Sequence, residues 1–549
     1  MKEEIPKFFG FIVTKEVKSK IIKSLSKFQI GAVPGHRPQE HLFALRSIIS
    51  LFKFRKKPLF LSFYDISKFF DKELLEDALD AVYCSGIKGK LYRLLYLMNK
   101  DAKIRIKTGV GLTREADSGD NVAQGTVEGA AISAKNIDKD LDEKFSQSYH
   151  EISYGNLNLQ PLLFQDDVMR ASDSIESLIF GNQIIDHIMK EKVLELNTDK
   201  SNYMLIGEDK VTIEIRKELS QRVIRLGGQP IKESKSEKYL GDHIHNLGNN
   251  QSIIETVRKR YGKAMEAVMD IKCVVEDVRG DYIGAIETGI KIFEMSVIPF
   301  ILYNSETWDS IPNIAMEMLK KIQLTFLRIL LKTPVSTPIQ SLLWETGTLD
   351  IGSQINIRKL NLYHHILNLD DEDIAKSVAK IQIDNGFPGL MKECKNLLRE
   401  YDLDDYELDK ENKFSWKKLV NKSVKKKAIR EMLNKMKSYK KVKYEVKKNE
   451  TFQIKEYLKK MKLEKARMRF AMETEMVKNF KFNFMNDKAN ERSNWACDYC
   501  MKTLKTYHPD SMEHAVRCQE YSSIRSEIDL SDETGMVEYF IKIVQLRNT

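Results

Sequence analysis

Leu162-Leu163-Phe164-Gln165-Asp166-Asp167-Val168-Met169 sets two adjacent carboxylates between two short apolar runs. The pattern predicts a strand, a tight turn and a returning strand, with the acids at the tip. Neighbours along a strand point to opposite faces, so one aspartate can face a cleft while the other lies behind it. Two buried carboxylates without partners are costly, which predicts a cation close by. A further acid lies upstream. Leu61-Ser62-Phe63-Tyr64-Asp65 is an apolar run ending in an aspartate, and a helical pattern follows from Lys72 to Tyr83. An aspartate at a strand's end beside an aspartate pair on a hairpin is the donor set of a two-metal phosphoryl-transfer site. There, two Mg²⁺ ions about 4 Å apart are held by hard carboxylate oxygens from separate chain segments.

Other short segments join this pair in a fixed order. Asp65-x4-Phe70-Asp71 resembles motif A of reverse transcriptases, in the form used by non-LTR (LINE-type) retrotransposons. Gln124-Gly125 resembles the core of motif B, and Phe164-Gln165-Asp166-Asp167 resembles motif C. Asn197-Thr198-Asp199-Lys200-Ser201 is similar to motif D, and Lys238-Tyr239-Leu240-Gly241 to motif E. The span from Asp65 to Asp166, about 100 residues, suits a polymerase palm. Gln29 to Pro38 resembles a fingers segment of the family, and Leu302 to Trp308 a recurrent thumb segment in which Trp308 is expected to be core.

The resemblance implies an α+β right-hand polymerase. Its parts are partial fingers (1–60), a palm with an antiparallel sheet (61–245), a helical thumb (246–370), a connector with a basic helical region (371–482) and a zinc-knuckle module (483–549). Asp65, Asp166 and the backbone carbonyl of Ile66 are implied to hold two Mg²⁺ ions, with Asp167 assisting. Phe70 is implied to be the steric gate against a ribose 2′-hydroxyl, and Gln124 and Gly125 to approach the template–nucleotide pair. Lys200 is implied to lie near the leaving pyrophosphate, Tyr239-Leu240-Gly241 to form the primer grip, and Arg37 to contact phosphate. Asp71 is expected to cap a helix rather than bind metal. The chain departs from the family at Thr126 to Ala131, where a polar residue and Leu-Ser-Pro are usual, and at Gln165, where a small or apolar residue is usual.

Bulk properties agree with an intracellular nucleic-acid-binding protein. At 549 residues and 42% hydrophobic content, more than one packed domain is expected. Six cysteines in this length make no disulfide framework, so a reducing compartment, nucleus or cytoplasm, is expected, and not secretion. No apolar run reaches the roughly 18 residues of a transmembrane helix. The net charge of +10 is unevenly spread. Residues 411–482 hold 24 Lys and Arg against 8 acids, a surplus of 16 that leaves −6 for the remainder. Phe414, Trp416, Tyr439, Tyr444, Phe452 and Tyr457 interleave with these lysines. Phosphate neutralisation with base stacking on the aromatics is the expected use.

Near the C-terminus, Cys497-x2-Cys500-x13-His514-x3-Cys518 has the donors and spacing of a closed structural zinc site, with His508 as a spare ligand. The spacing is similar to the C-terminal zinc module of LINE-type proteins. The expected activity is RNA-directed DNA polymerisation on an RNA template, extending a DNA primer or target with deoxynucleoside triphosphates. The alternatives are a weak or inactive RNA-binding remnant and an RNA-directed RNA polymerase, against which Phe70 argues. No endonuclease segment is recognisable, so the chain is expected to be a fragment of a larger element or a stand-alone derivative.

Overall fold

Phe60-Leu61-Ser62-Phe63-Tyr64 forms strand β1, and all five residues are buried, so both faces of the strand are covered. In the computed structural model, which describes residues 4–100, 103–105, 107–117, 121–122, 129–146, 152–277, 282–406, 412–438, 451–474, 476–477 and 496–548, this strand lies inside a four-stranded sheet. Its companions are β2 (Leu162–Phe164), β3 (Asp167–Ser172) and β4 (Asn202–Leu205), in the order β4-β1-β3-β2, all antiparallel. Apolar residues of helices Gly129–Ser146 and Ile175–Glu191 pack on the sheet around Phe60, Tyr64, Val168 and Leu205. The fold is α+β, mostly helical with small sheets.

The chain divides into two compact units. One comprises Met1–Thr256, Asn304–Pro312 and Arg358–Lys417; the other comprises Val257–Tyr303, Asn313–Ile357 and Lys418–Thr549. The first carries the sheet. The helix expected from Lys72 to Tyr83 is two pieces, Phe69–Lys72 and Leu75–Cys84. The break falls at Glu73, whose buried carboxylate accepts from Asn136 Nδ2 at 2.8 Å and from the Ser133 hydroxyl, and whose backbone carbonyl accepts from Val122 N–H. Asp71 lies inside the first piece, whose cap is Lys68 in a left-handed conformation, so Asp71 is not the cap.

A second hairpin, β5 (Ser236–Tyr239) and β6 (Asp242–His245), turns through Leu240 and Gly241 at φ of 46° and 90°. Positive φ at both central positions suits the right-handed twist of a two-residue hairpin loop. The turn is pinned from below. Asp242, fully buried, accepts from Arg46 Nη2 at 2.8 Å, Trp308 Nε1 at 2.9 Å and Asn304 Nδ2 at 3.2 Å. Asn304 Nδ2 also donates to Leu240 O at 3.0 Å, and Asn304 Oδ1 accepts from Gln39. Trp308 is therefore core, as expected, and the segment 304–308 braces this turn.

The second unit is helical, with Phe293 stacked on Phe326 at 4.0 Å. Within it Phe452 packs against Trp344, and the Tyr457 hydroxyl donates to Glu345 at 2.6 Å. In the first unit Trp416 is buried, stacks on His364 and donates to Leu360 O. These three rings are taken up by protein packing rather than held out for bases; Phe414 is 82% exposed, and Tyr439 and Tyr444 lie outside the described residues. Among the described residues no helix is long and apolar enough to cross a membrane.

Asp242→Ala leaves the Arg46 guanidinium buried without its carboxylate, a loss of about 3–5 kcal/mol. Equilibrium urea denaturation is expected to show the transition of the first unit shifted by that amount, with a smaller shift for Asp242→Asn.

Candidate active site and metal centre

Three carboxylates gather where β1 and the β2–β3 hairpin end. The last pair in their register is Tyr64 with Val168, so one step further Asp65 stands level with Asp167. Asp166 occupies the turn, since Phe164 pairs with Asp167 and leaves Gln165 and Asp166 as the loop. The hairpin expected from the sequence is present, and its acids are at the tip. The three carboxylates act on one another. Burial first, then the charge of Asp65, raises Asp166. Burial, with Asp166 and Asp65 beside it, pushes Asp167 up to about 6, and Lys238 opposes that rise.

Two cations answer the expected need. Lys200 Nζ is 3.8 Å from Asp65 Oδ2, and Lys238 lies within electrostatic range of Asp167. Lys200 reaches this place because Asn197 N–H donates to Asp65 O and Ser67 N–H to Glu195 O, docking residues 195–197 beside β1. That pairing uses Asp65 and Ser67 and leaves the Ile66 carbonyl out of it. Ser201 Oγ accepts from Asp65 N–H at 3.0 Å.

Tyr239 is buried against Phe63, with ring centroids 5.8 Å apart. Burial and the nearby charge of Asp167 hold its phenol well above the usual range, so the Leu240–Gly241 turn belongs to the same neighbourhood. Phe70 is half-buried, its ring tilted on Phe69 at 5.3 Å at the edge of the core that backs the sheet. Gln124 and Gly125 lie outside the described residues. Arg37 is placed elsewhere. Its N–H donates to Glu40 Oε1 at the start of helix Pro38–Arg55, and it lines a separate cavity of about 610 Å³ with His364, Asn368 and Trp416, which no member of the carboxylate trio lines.

A candidate metal site near the C-terminus is formed by Cys497, Cys500, His514 and Cys518, whose donor atoms all lie within 4.8 Å of one another. Cys497 and Cys518 sulfurs are 3.9 Å apart, Cys500 and Cys518 3.8 Å, and Cys500 Sγ is 3.3 Å from His514 Nε2. A tetrahedral zinc with Zn–S of about 2.3 Å requires S···S edges of about 3.8 Å, so the cluster can hold a zinc ion. The helix expected to carry both His514 and Cys518 is short, Met512–Ala515; Cys518 N–H donates to His514 O at 2.8 Å and prolongs the turn. His508 stays outside the donor set. Its ring stacks on His514 at 4.8 Å, and its carbonyl accepts from Cys497 N–H. Helix Glu533–Asn548 closes the module: Arg547 grips Asp510 with both Nη atoms, and Tyr539 OH donates to Ala515 O.

No family profile matches the chain, and no curated protein does. Among solved structures it is similar to apo telomerase from Candida tropicalis, at 9% identity and a TM-score of 0.32 over 59% of this chain and 54% of that one. It is also similar to telomerase from Candida albicans in complex with a TWJ fragment of telomeric RNA, at 8% identity and a TM-score of 0.33 over 70% of this chain and 58% of that one. The chain thus spans little more than half the length of these telomerase chains. At TM-scores of 0.32 and 0.33 the likeness fixes neither fold, activity nor partner.

Two measurements test the site. An ordinary aspartate titrates near 4, so between about pH 4 and 6 the folded chain holds the Asp167 proton more tightly than the unfolded chain does. Ionised Asp167 therefore lowers stability above that window and leaves it unchanged below. In metal-free buffer Asp167→Asn is expected to melt higher than wild type at pH 7, with the advantage fading as the pH falls towards 4. Zinc content by elemental analysis is expected to be lost in Cys500→Ser and kept in His508→Ala.

Proposed function

We propose that the chain is an RNA-directed DNA polymerase of a LINE-type retroelement, extending a primer 3′-hydroxyl on an RNA template. One observation carries this reading: Asp65, Asp166 and Asp167, from strand ends about 100 residues apart in sequence, meet at one rim with Lys200 3.8 Å from Asp65. Mutually repelling carboxylates without a buried cationic partner are a ready seat for divalent cations.

Asp65 and Asp166, with the Ile66 carbonyl, are the groups that would hold two Mg²⁺ ions, and Asp167 supports them from the adjacent strand. When bound, the ions acidify the primer hydroxyl and neutralise the triphosphate. Lys200 carries a proton at Nζ that it gives to the departing pyrophosphate. The Tyr239–Gly241 turn, fixed by Asp242 and Asn304, sets the primer end beside Asp167. Phe70 crowds the sugar where a 2′-hydroxyl would sit, which selects deoxynucleotides, and Gln124 and Gly125 face the template–nucleotide pair. The lysine surface of residues 413–437 neutralises nucleic-acid phosphate. The domain limits are those set out from the sequence, with residues 61–245 as the palm.

Primer extension on an RNA template with Mg²⁺ decides the matter. Wild type is expected to extend, Asp166→Asn to fall to background while still binding RNA, and Lys200→Ala to lose about 10²-fold in rate. An Asp166→Asn chain as active as wild type refutes the assignment. A wild type that binds RNA yet never extends is the inactive remnant.

A further inference from the structure

The residues that lead into helix Pro38–Arg55 also touch the catalytic hairpin. β2 is the edge strand of the sheet, and its outer side is paired in parallel with Gln29. Ile30 N–H donates to Leu163 O at 3.1 Å, and Leu163 N–H donates to Phe28 O at 2.9 Å. Gln29 itself is 1% exposed, and its side chain reaches the hairpin tip. Its Oε1 accepts from Gln165 N–H at 3.1 Å and from Gly31 N–H at 2.9 Å, while Nε2 donates to Gln165 O at 3.3 Å. One amide thus occupies both backbone groups of the residue immediately before Asp166.

Gln165 needs such a hold. Its φ is +60°, a left-handed conformation uncommon for a residue with a β-carbon, in a two-residue turn at a sheet edge. Gly31 closes on the same point: a β-carbon there would stand 2.2 Å from Gln165 N and 2.7 Å from Gln165 Cγ, so only glycine lets the two backbones approach this far. Both contacts are made to Gln165 rather than to a carboxylate.

We infer that Gln29 and Gly31 form a clamp that fixes the Gln165–Asp166 turn and so sets the aim of the Asp166 carboxylate towards Asp65. They are positioning residues; the inference rests on the polymerase reading above for the chemistry that the aim serves. A metal-binding carboxylate must be held to within about 0.5 Å, and an edge turn held only by its own strand pair does not ensure that.

The test uses the full zinc-loaded chain with two readouts, steady-state primer extension and Mn²⁺ affinity at the carboxylates by electron paramagnetic resonance. Gln29→Ala is expected to lower kcat about 10- to 100-fold with KM for the nucleotide within about twofold of wild type, as for lost positioning rather than lost binding. Mn²⁺ affinity is expected to fall with it. Gln29→Glu, which keeps the acceptor for Gln165 N–H and loses the donor to Gln165 O, is expected to lie between. A folded Gln29→Ala with unchanged kcat and unchanged Mn²⁺ affinity overturns the clamp. Where Gln29→Ala does not fold, Gln29→Glu and Gly31→Ala decide by the same two readouts. A wild type that binds Mn²⁺ but extends no primer overturns the polymerase reading alone, and the Mn²⁺ arm then decides the clamp.

Discussion

Mutual repulsion among Asp65, Asp166 and Asp167 is the constraint against which the first unit is built. Left alone, three like charges would spread. They are kept together because β1 is covered on both sides, because its register with β3 is fixed over five residue pairs, and because the hairpin turn is bound from outside by Gln29. Burial first, and then the neighbouring carboxylate charge, raises Asp166 and Asp167. Two lysines relieve part of it, Lys200 at Asp65 and Lys238 near Asp167, and both come from segments that dock beside the sheet rather than from the sheet itself.

The same logic runs through the buried polar groups. Asp242 is enclosed by Arg46, Trp308 and Asn304, so one carboxylate ties together the helix Pro38–Arg55, the β5–β6 turn and residues 304–308. Such a group tolerates few alternatives, because removing any partner exposes an unpaired charge or donor to an apolar interior. The turn is therefore fixed from beneath, while its tip, Leu240 and Gly241, is half-buried.

What could be read in advance follows from how local each signal is. The short apolar runs on either side of Asp166 and Asp167 marked the hairpin, and cysteine spacing marked the Cys497–Cys518 cluster, because both are short-range patterns. Lys200 was singled out only through a family likeness, as a residue near the leaving pyrophosphate, and its place 3.8 Å from Asp65 was not foreseen. Asp242 and Arg547 were not singled out, and Gln29 entered only as the first residue of a segment resembling the family's fingers: each is a polar residue whose meaning lies in a partner far along the chain, and no periodicity reports that. Trp416, Phe452 and Tyr457 misled for the opposite reason. Lysines around an aromatic suggest base stacking, yet a lysine-rich segment still needs large apolar residues on the side it buries. The Glu73 break was invisible because a glutamate in a helical pattern is ordinary until its carboxylate is buried.

The long helix Lys413–Lys437 has a geometric property that its composition conceals. Its buried positions, Trp416, Val420, Val424, Ala428, Met432 and Met436, recur every fourth residue. An α-helix has about 3.6 residues per turn, so each such step overshoots a full turn by about 40°, and five steps carry the stripe about 200° around the axis. The apolar line is thus a slow right-handed spiral, and the lysines between its turns trace a second spiral beside it. A rigid flat surface would meet only a few of these charges at once; a flexible chain that coils as it advances would meet them in succession.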